Sequence, residues 1–257
     1  MKCLFFALFF TLCFIRPVIA GDSCLSANQQ LAKVADWGVV SKIIDGDTLH
    51  LNDGRKIRLI GINTPELGHR GEASQPYGLQ AYEALVQLLK NHKKIGLSYD
   101  KNKKDRYKRL LAYVSLVDGQ SVEQILLSKG LAHSIVVPPN DSRINCYRSI
   151  EKKARDAKLG LWKLSENQWL KASQLSLKSK GLRYVSGTVS EYSESKKSIY
   201  LKLSSKLSVR IAKKDKKYFS NINLKGLIGK HIRVRGWVST YKGRQSIHVR
   251  TAYDLNL

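Results

Sequence analysis

The chain has 257 residues, with 45 Lys or Arg against 20 Asp or Glu and a formal charge of +25. That length allows one large domain or two small ones, each burying its own core. Folding alone does not require such a charge excess, which argues against an electrostatically indifferent protein and for a polyanionic partner: DNA, RNA or an anionic membrane surface.

The chain opens with Lys2, an apolar run from Cys3 to Ile15 broken only by Thr11, then Arg16, Pro17 and the small-residue exit Val18-Ile19-Ala20. This is the pattern of an export signal cleaved after Ala20, and the run is shorter than the roughly 20 residues of a membrane-spanning helix. A secreted or periplasmic bacterial protein is expected, with no stable membrane association once residues 1–20 are removed. Cys3 and Cys13 would leave with the signal. Cys24 and Cys146 would remain, and an oxidising compartment would allow them to pair. Neither stands in a CxxC spacing or beside a His cluster, which argues against a zinc site.

Val39 to Ile62 reads as a meander of short strands with a turn at Asn52-Asp53-Gly54. Ala84, Leu85, Leu88 and Leu89 recur at helical spacing and predict an amphipathic helix beginning near Tyr77. Strands are expected over 95–99 and 110–117, and helices over 122–128 and 143–158, the first ended by Gly130 and the second by Gly160. Residues 165–180 are polar and Ser/Lys-rich, which predicts a linker or loose helix. Beyond it, five short strands are expected, at 185–189, 198–203, 207–211, 232–238 and 246–249. Five such strands in under 80 residues fit a small barrel of the OB kind. From residue 181 onward there are 17 Lys or Arg and 4 Asp or Glu, a net +13.

The chemistry is concentrated in three motifs: Ile44-Asp45-Gly46-Asp47-Thr48, Arg58-Leu59-Ile60-Gly61-Ile62-Asn63-Thr64-Pro65-Glu66, and Asp105-Arg106-Tyr107-Lys108-Arg109. Asp45 and Asp47 lie two apart, so an extended strand turns both to one face, and Gly46 between them permits close approach. Carboxylate, amide and carbonyl oxygens are hard ligands suited to calcium. Arginine presents a planar donor fork to phosphate oxygens, which lysine lacks.

In these motifs and their order, residues 33 to 163 resemble the staphylococcal nuclease family, with Gly130-Leu131-Ala132 and Gly160-Leu161-Trp162 continuing the likeness. The resemblance implies an α+β, mainly β fold: a five-stranded OB barrel with three helices over 33–164, followed here by a second small OB-like barrel over 181–257. It implies a Ca2+ site in which Asp47 and Asn63 are side-chain ligands, the Thr64 carbonyl is a third, and Asp45 supports them. It further implies that Glu66 activates or orients the attacking water, that Arg58 and Arg109 bind the scissile phosphate, and that Tyr107 lies near the nucleotide's phosphate. The implied activity is calcium-dependent hydrolysis of phosphodiester bonds in DNA and RNA, leaving 3′-phosphates, with no protein partner. Two departures stand out. Asn63 occupies a position that is usually Asp, and the tyrosines expected after Ala132 are replaced by His133-Ser134-Ile135-Val136-Val137, so His133 is one candidate to replace their stacking. Rival readings are an exported nucleic-acid-binding protein with an inactive nuclease domain, favoured by Asn63, and a polybasic adhesin.

Overall fold

A computed structural model describes residues 24–68, 71–91 and 93–256. The expected signal peptide lies outside the described residues. The first half comprises α1 (Ala27–Ala32), β1 (Asp36–Asp45), β2 (Thr48–Leu51), β3 (Lys56–Leu59), β4 (Ile62–Asn63), α2 (Gly78–Leu89), β5 (Lys94–Ser98), β6 (Leu110–Ser115), α3 (Val122–Ser128), β7 (His133–Ser134) and α4 (Ile144–Asp156). Strands β1-β2-β3-β6-β5 close into a barrel in which β3 and β6 run parallel, and β4 pairs with β7 outside it. The predicted helices at 77, 122 and 143 are all present. A fourth, α1, is short, and its Ser26 and Gln29 form a capping box that satisfies the first turn.

Alternation explains the barrel. Leu49, Leu51, Ile57, Leu59, Ile95, Leu97, Ala112 and Val114 point inward and are buried, while the residues between them face out. On α2, Ala81, Leu85 and Leu89 form the buried stripe that covers one side of this core. A disulfide joins Cys24 to Cys146, 122 residues apart, and ties the start of the described chain to α4.

The second half comprises β8 (Trp169–Lys171), β9 (Gly181–Thr188), β10 (Glu191–Glu194), β11 (Ser198–Lys202), β12 (Leu207–Ala212), β13 (His231–Tyr241), β14 (Arg244–Val249) and β15 (Leu255–Asn256). Its strand order is β10-β11-β12-β14-β13-β9-β8, with β15 added to β13. Strands β9 and β10 are successive parts of one stretch interrupted at Val189 and Ser190, whose N–H groups donate to Lys230 and Lys202 carbonyls. Because β9 pairs with β13 and β10 with β11, that stretch meets both ends of the ladder. Counted as one strand, it gives the order of the first barrel, with β12 and β14 as the parallel pair that matches β3 and β6.

Residues 165–180 depart from the expected linker. They hold β8, which pairs in parallel with β9, and they bury Ala172 and Leu175 in the second core. The Ser/Lys composition masked this because only a few apolar side chains are needed to dock a short segment. The two barrels meet through a small cluster of Ala154, Leu161, Trp162, Leu182 and Tyr184. The Arg155 guanidinium lies 4.1 Å from the ring centres of both Trp162 and Tyr184.

Candidate active site

The site begins where β1 turns into β2. Asp45 Oδ1 accepts the Asp47 N–H at 2.9 Å and shapes the turn, so Asp45 supports Asp47 rather than facing the same ligand. Gly46 is required there, because a Cβ at that position would lie 2.8 Å from both Ala81 Cβ and Thr64 Cγ2. Its absence lets α2 and Thr64 close over the turn.

Asp47 is buried at 5 % exposure. Its Oδ2 accepts the Thr64 N–H at 2.9 Å and pairs with Arg58 Nη2 at 2.9 Å. The same Arg58 nitrogen donates to Asn63 Oδ1 at 3.2 Å, and Asn63 Nδ2 donates to the Thr64 carbonyl at 3.2 Å. Arg58 is further tied by Nη1 to the carbonyls of Leu59 and Ile62 at 2.6 and 3.2 Å. Asp45, Asp47, Arg58, Asn63 and Thr64 thus form one connected network. Burial pushes the Asp47 carboxyl up to about 7, with Asp45 adding to the rise and Arg58 and the Thr64 N–H opposing it.

The donor set fits calcium. Asp47 Oδ2 and Asn63 Oδ1 converge on one cationic nitrogen, the Thr64 carbonyl is adjacent, and every donor is a hard oxygen. Among the described residues no group of three or more His, Cys, Asp or Glu side chains is placed to hold a metal. A site here would combine the single Asp47 carboxylate with amide and backbone oxygens.

Arg109 and Tyr107 form a second group at the entrance to β6. Asp105 Oδ1 accepts the Tyr107 and Arg109 N–H groups at 2.9 and 3.0 Å, and Asp105 Oδ2 accepts Arg109 Nε at 2.8 Å. Burial raises the Asp105 carboxyl, but the Arg109 hydrogen bonds outweigh it and hold the group low. In the parallel ladder Arg58 lies opposite Leu111. Arg109 is two residues earlier, just ahead of β6. Tyr107 is 63 % exposed, with Arg106 and Arg109 beside its ring at 4.7 and 5.5 Å. Glu66, also exposed, sits on the β4–α2 loop, where its N–H donates to Gln75 Oε1 and its carbonyl accepts the Gln75 N–H. Gly78 admits that loop, since a Cβ there would come within 2.4 Å of the Glu66 carbonyl.

Two roles were not legible in the motifs. Asp105 holds Arg109, for which its place four residues upstream was a signal. His133, a candidate for stacking, is buried instead. Its Nδ1 lies 2.8 Å from the Tyr184 hydroxyl oxygen and its ring meets Trp162 edge-on. His133 is also the ladder partner of Asn63, so the second barrel fastens to β7, the strand paired with the one carrying a proposed metal ligand. No local pattern announced this contact, because Tyr184 is 51 residues away.

The family pattern of staphylococcal nuclease homologues matches residues 56–164. The chain is 38 % identical over 128 residues to the thermonuclease of Staphylococcus intermedius, covering 48 % of this chain and 74 % of that protein. It is 36 % identical over 140 residues to the thermonuclease of Staphylococcus hyicus, covering 53 % and 78 %. Against endonuclease YncB of Bacillus subtilis it is 39 % identical over 131 residues, which is 49 % of this chain and 61 % of that relative, less than two thirds of its length. With the closed β1-β2-β3-β6-β5 barrel, these matches place the chain in the staphylococcal nuclease family.

Proposed function

We propose that the protein is an exported, calcium-dependent nuclease that hydrolyses phosphodiester bonds in DNA and RNA and leaves 3′-phosphates. The observation that carries this reading is the convergence of Asp47 Oδ2 and Asn63 Oδ1 on Arg58 Nη2, which sets a cation-holding pair of oxygens against a phosphate-binding guanidinium. The product polarity follows the family resemblance. The Cys24–Cys146 bridge supports an oxidising compartment.

Asp47, Asn63 and the Thr64 carbonyl would hold the calcium, which when bound polarises the phosphate and makes a neighbouring water a better nucleophile. Arg58 is held by four oxygen acceptors, and its Nη2 would be freed for a phosphate by calcium on the Asp47 and Asn63 oxygens. Arg109, aimed by Asp105, supplies a second donor fork, and together they follow the charge as phosphorus becomes five-coordinate. Glu66 lies in reach of solvent on a loop held by Gln75 and Gly78, and it accepts a proton from the attacking water or orients it. Tyr107 stands beside Arg109 and Arg106 as a phosphate neighbour.

One observation favours a second reading, a nucleic-acid-binding protein that does not cleave: Asn63 already satisfies the Thr64 carbonyl with its amide. A zymogram on DNA and on RNA, with calcium and with chelator, separates the two. Calcium-dependent clearing supports the nuclease, and binding without clearing at any calcium concentration supports the alternative.

A further inference from the structure

The second barrel presents an outward face that neither the metal site nor the junction uses. Strands β11, β12, β14 and β13 are neighbours, and their registers align Tyr200 with Arg210, Arg210 with His248, and His248 with Trp237. The next row along the strands is Lys202, Ser208, Ser246 and Ser239, and the row beyond it pairs Arg244 with Tyr241. The residues between them in sequence, among them Ile199, Leu201, Val209, Ile247 and Val238, point inward and are buried. The outward set on these four strands contains aromatic, cationic and small polar side chains and no carboxylate. Trp237 is 41 % exposed and Tyr241 is 75 % exposed.

The middle of the face is held rigid. Arg210 Nε donates to Ser198 Oγ at 3.0 Å and Nη1 reaches His248 Nδ1 at 3.3 Å. His248 Nε2 lies 2.7 Å from Ser239 Oγ. Arginine has no acceptor, so Nδ1 accepts and Nε2 carries the proton. Two turns frame the face, Ser195-Lys196-Lys197 and Lys242-Gly243, both basic. The acidic groups nearby lie on β10 and are engaged: Glu191 with Lys202 at 3.2 Å and Glu194 with Lys213 at 2.8 Å. At its other end, the ladder partner of Trp237 is Leu182, which packs with Trp162 of the first barrel, so the face begins at the junction between the two barrels.

A duplex offers its bases only as edges in grooves, whereas a single strand offers their faces. Exposed rings on a rigid sheet, interleaved with guanidinium groups and free of carboxylates, match the second case. We propose that this face of the second barrel binds single-stranded nucleic acid, with Trp237 and Tyr241 stacking bases and Arg210, Arg244 and Lys202 meeting phosphates. The inference rests on the nucleic-acid reading above, and its test is run without cleavage so that the two fail separately.

Full-length protein in chelator is titrated with a fluorescein-labelled 20-residue oligothymidylate and with a 20-base-pair duplex. Trp237→Ala combined with Tyr241→Ala is expected to weaken single-strand binding at least about tenfold, since both stacking rings are lost. The salt dependence should stay unchanged, because phosphate contacts remain. Trp237→Phe combined with Tyr241→Phe keeps the rings and should stay within about threefold of wild type. Both positions are exposed, and a matched urea midpoint confirms folding. The proposal is overturned if the alanine pair binds the single strand as tightly as wild type, if the phenylalanine pair is as weak as the alanine pair, or if the duplex loses as much affinity. Cleavage measured separately with calcium reports on the nuclease reading whatever the binding result.

Discussion

Arg235 on β13 forks onto Glu151 on α4, with Nη1 to Oε2 at 2.5 Å and Nη2 to Oε1 at 2.9 Å, and both side chains are buried. The same guanidinium reaches the Ser134 carbonyl and the Tyr184 hydroxyl at 2.7 and 3.0 Å, while Glu151 also accepts the Ser134 N–H at 2.7 Å. One ion pair therefore joins the second barrel to α4 and β7 of the first. Arg235→Ala strands a buried carboxylate, which costs about 3–5 kcal/mol. Arg148 and Arg155 stand 3.8 and 3.9 Å from the same oxygen and compensate in part, so the lower end is expected. Urea unfolding measures it, and Arg235→Met with Glu151→Gln should recover much of the loss. A loss under about 1 kcal/mol in the alanine variant would show that the pair does not fasten the barrels.

Arg58 has two duties that a pair of substitutions separates. Arg58→Lys keeps a charge near Asp47 but loses the fork, so cleavage should fall about 100- to 1000-fold with little change in urea midpoint. Arg58→Ala should lose as much activity and also destabilise the fold, because Asp47 is buried and loses its ion pair. Glu66→Gln and Arg109→Ala, outside that buried pair, should lower turnover at unchanged stability. Full turnover in Glu66→Gln and Arg109→Ala together would remove them from the reaction.

Asn63→Asp adds a negative charge next to the proposed ion and withdraws the N–H that now satisfies the Thr64 carbonyl. Unit charges about 4 Å apart interact by roughly 1 kcal/mol in water and 4 at an effective dielectric of 20. Asn63 is partly exposed, so the lower part applies, and about 1.4 kcal/mol corresponds to tenfold. The calcium concentration for half-maximal cleavage should fall about tenfold at fixed ionic strength. An equal or higher requirement would mean that Asn63 does not contact the ion.

Burial, followed by the charges of Arg155, Arg183 and Arg148, pushes the His133 imidazole down to about 3. Unfolded, it titrates near 6.5. Between those values the unfolded chain binds a proton that the native chain excludes, so this residue's contribution is complete above pH 6.5 and is lost progressively as pH falls toward 3. Burial raises Glu151 and Asp254, which act in the opposite sense. The comparison is therefore between proteins: the urea midpoint should drop more from pH 7 to pH 5 in wild type than in His133→Gln. Parallel profiles would show that His133 is not held neutral at the junction.

The barrel strands, α2, α3, α4 and the five main strands of the second barrel were legible because each carries a period of its own, 2 or 3.6, in apolar residues. Strands β4, β7, β8 and β15, each two or three residues long, were not, since no period fits in so short a run. The site divides the same way. Asp45 and Asp47 stood out through motif spacing and Asn63 through the family resemblance, while the Arg58–Asp47 pair joins residues that meet only when β2 and β3 are zipped.

Composition and motif order by themselves determined the family and the two-barrel plan, because motif order and local periodicity are properties of the chain whatever its path. Which side chains are buried against which was decided only by the tertiary structure. His133 lost its exposed role when β9 placed the Tyr184 hydroxyl on its ring, and residues 165–180 became part of the second barrel when β8 found an open edge of β9. Both outcomes depend on contacts between residues far apart in sequence, and the free energy of such contacts comes from excluding water between surfaces that a linear reading cannot bring together.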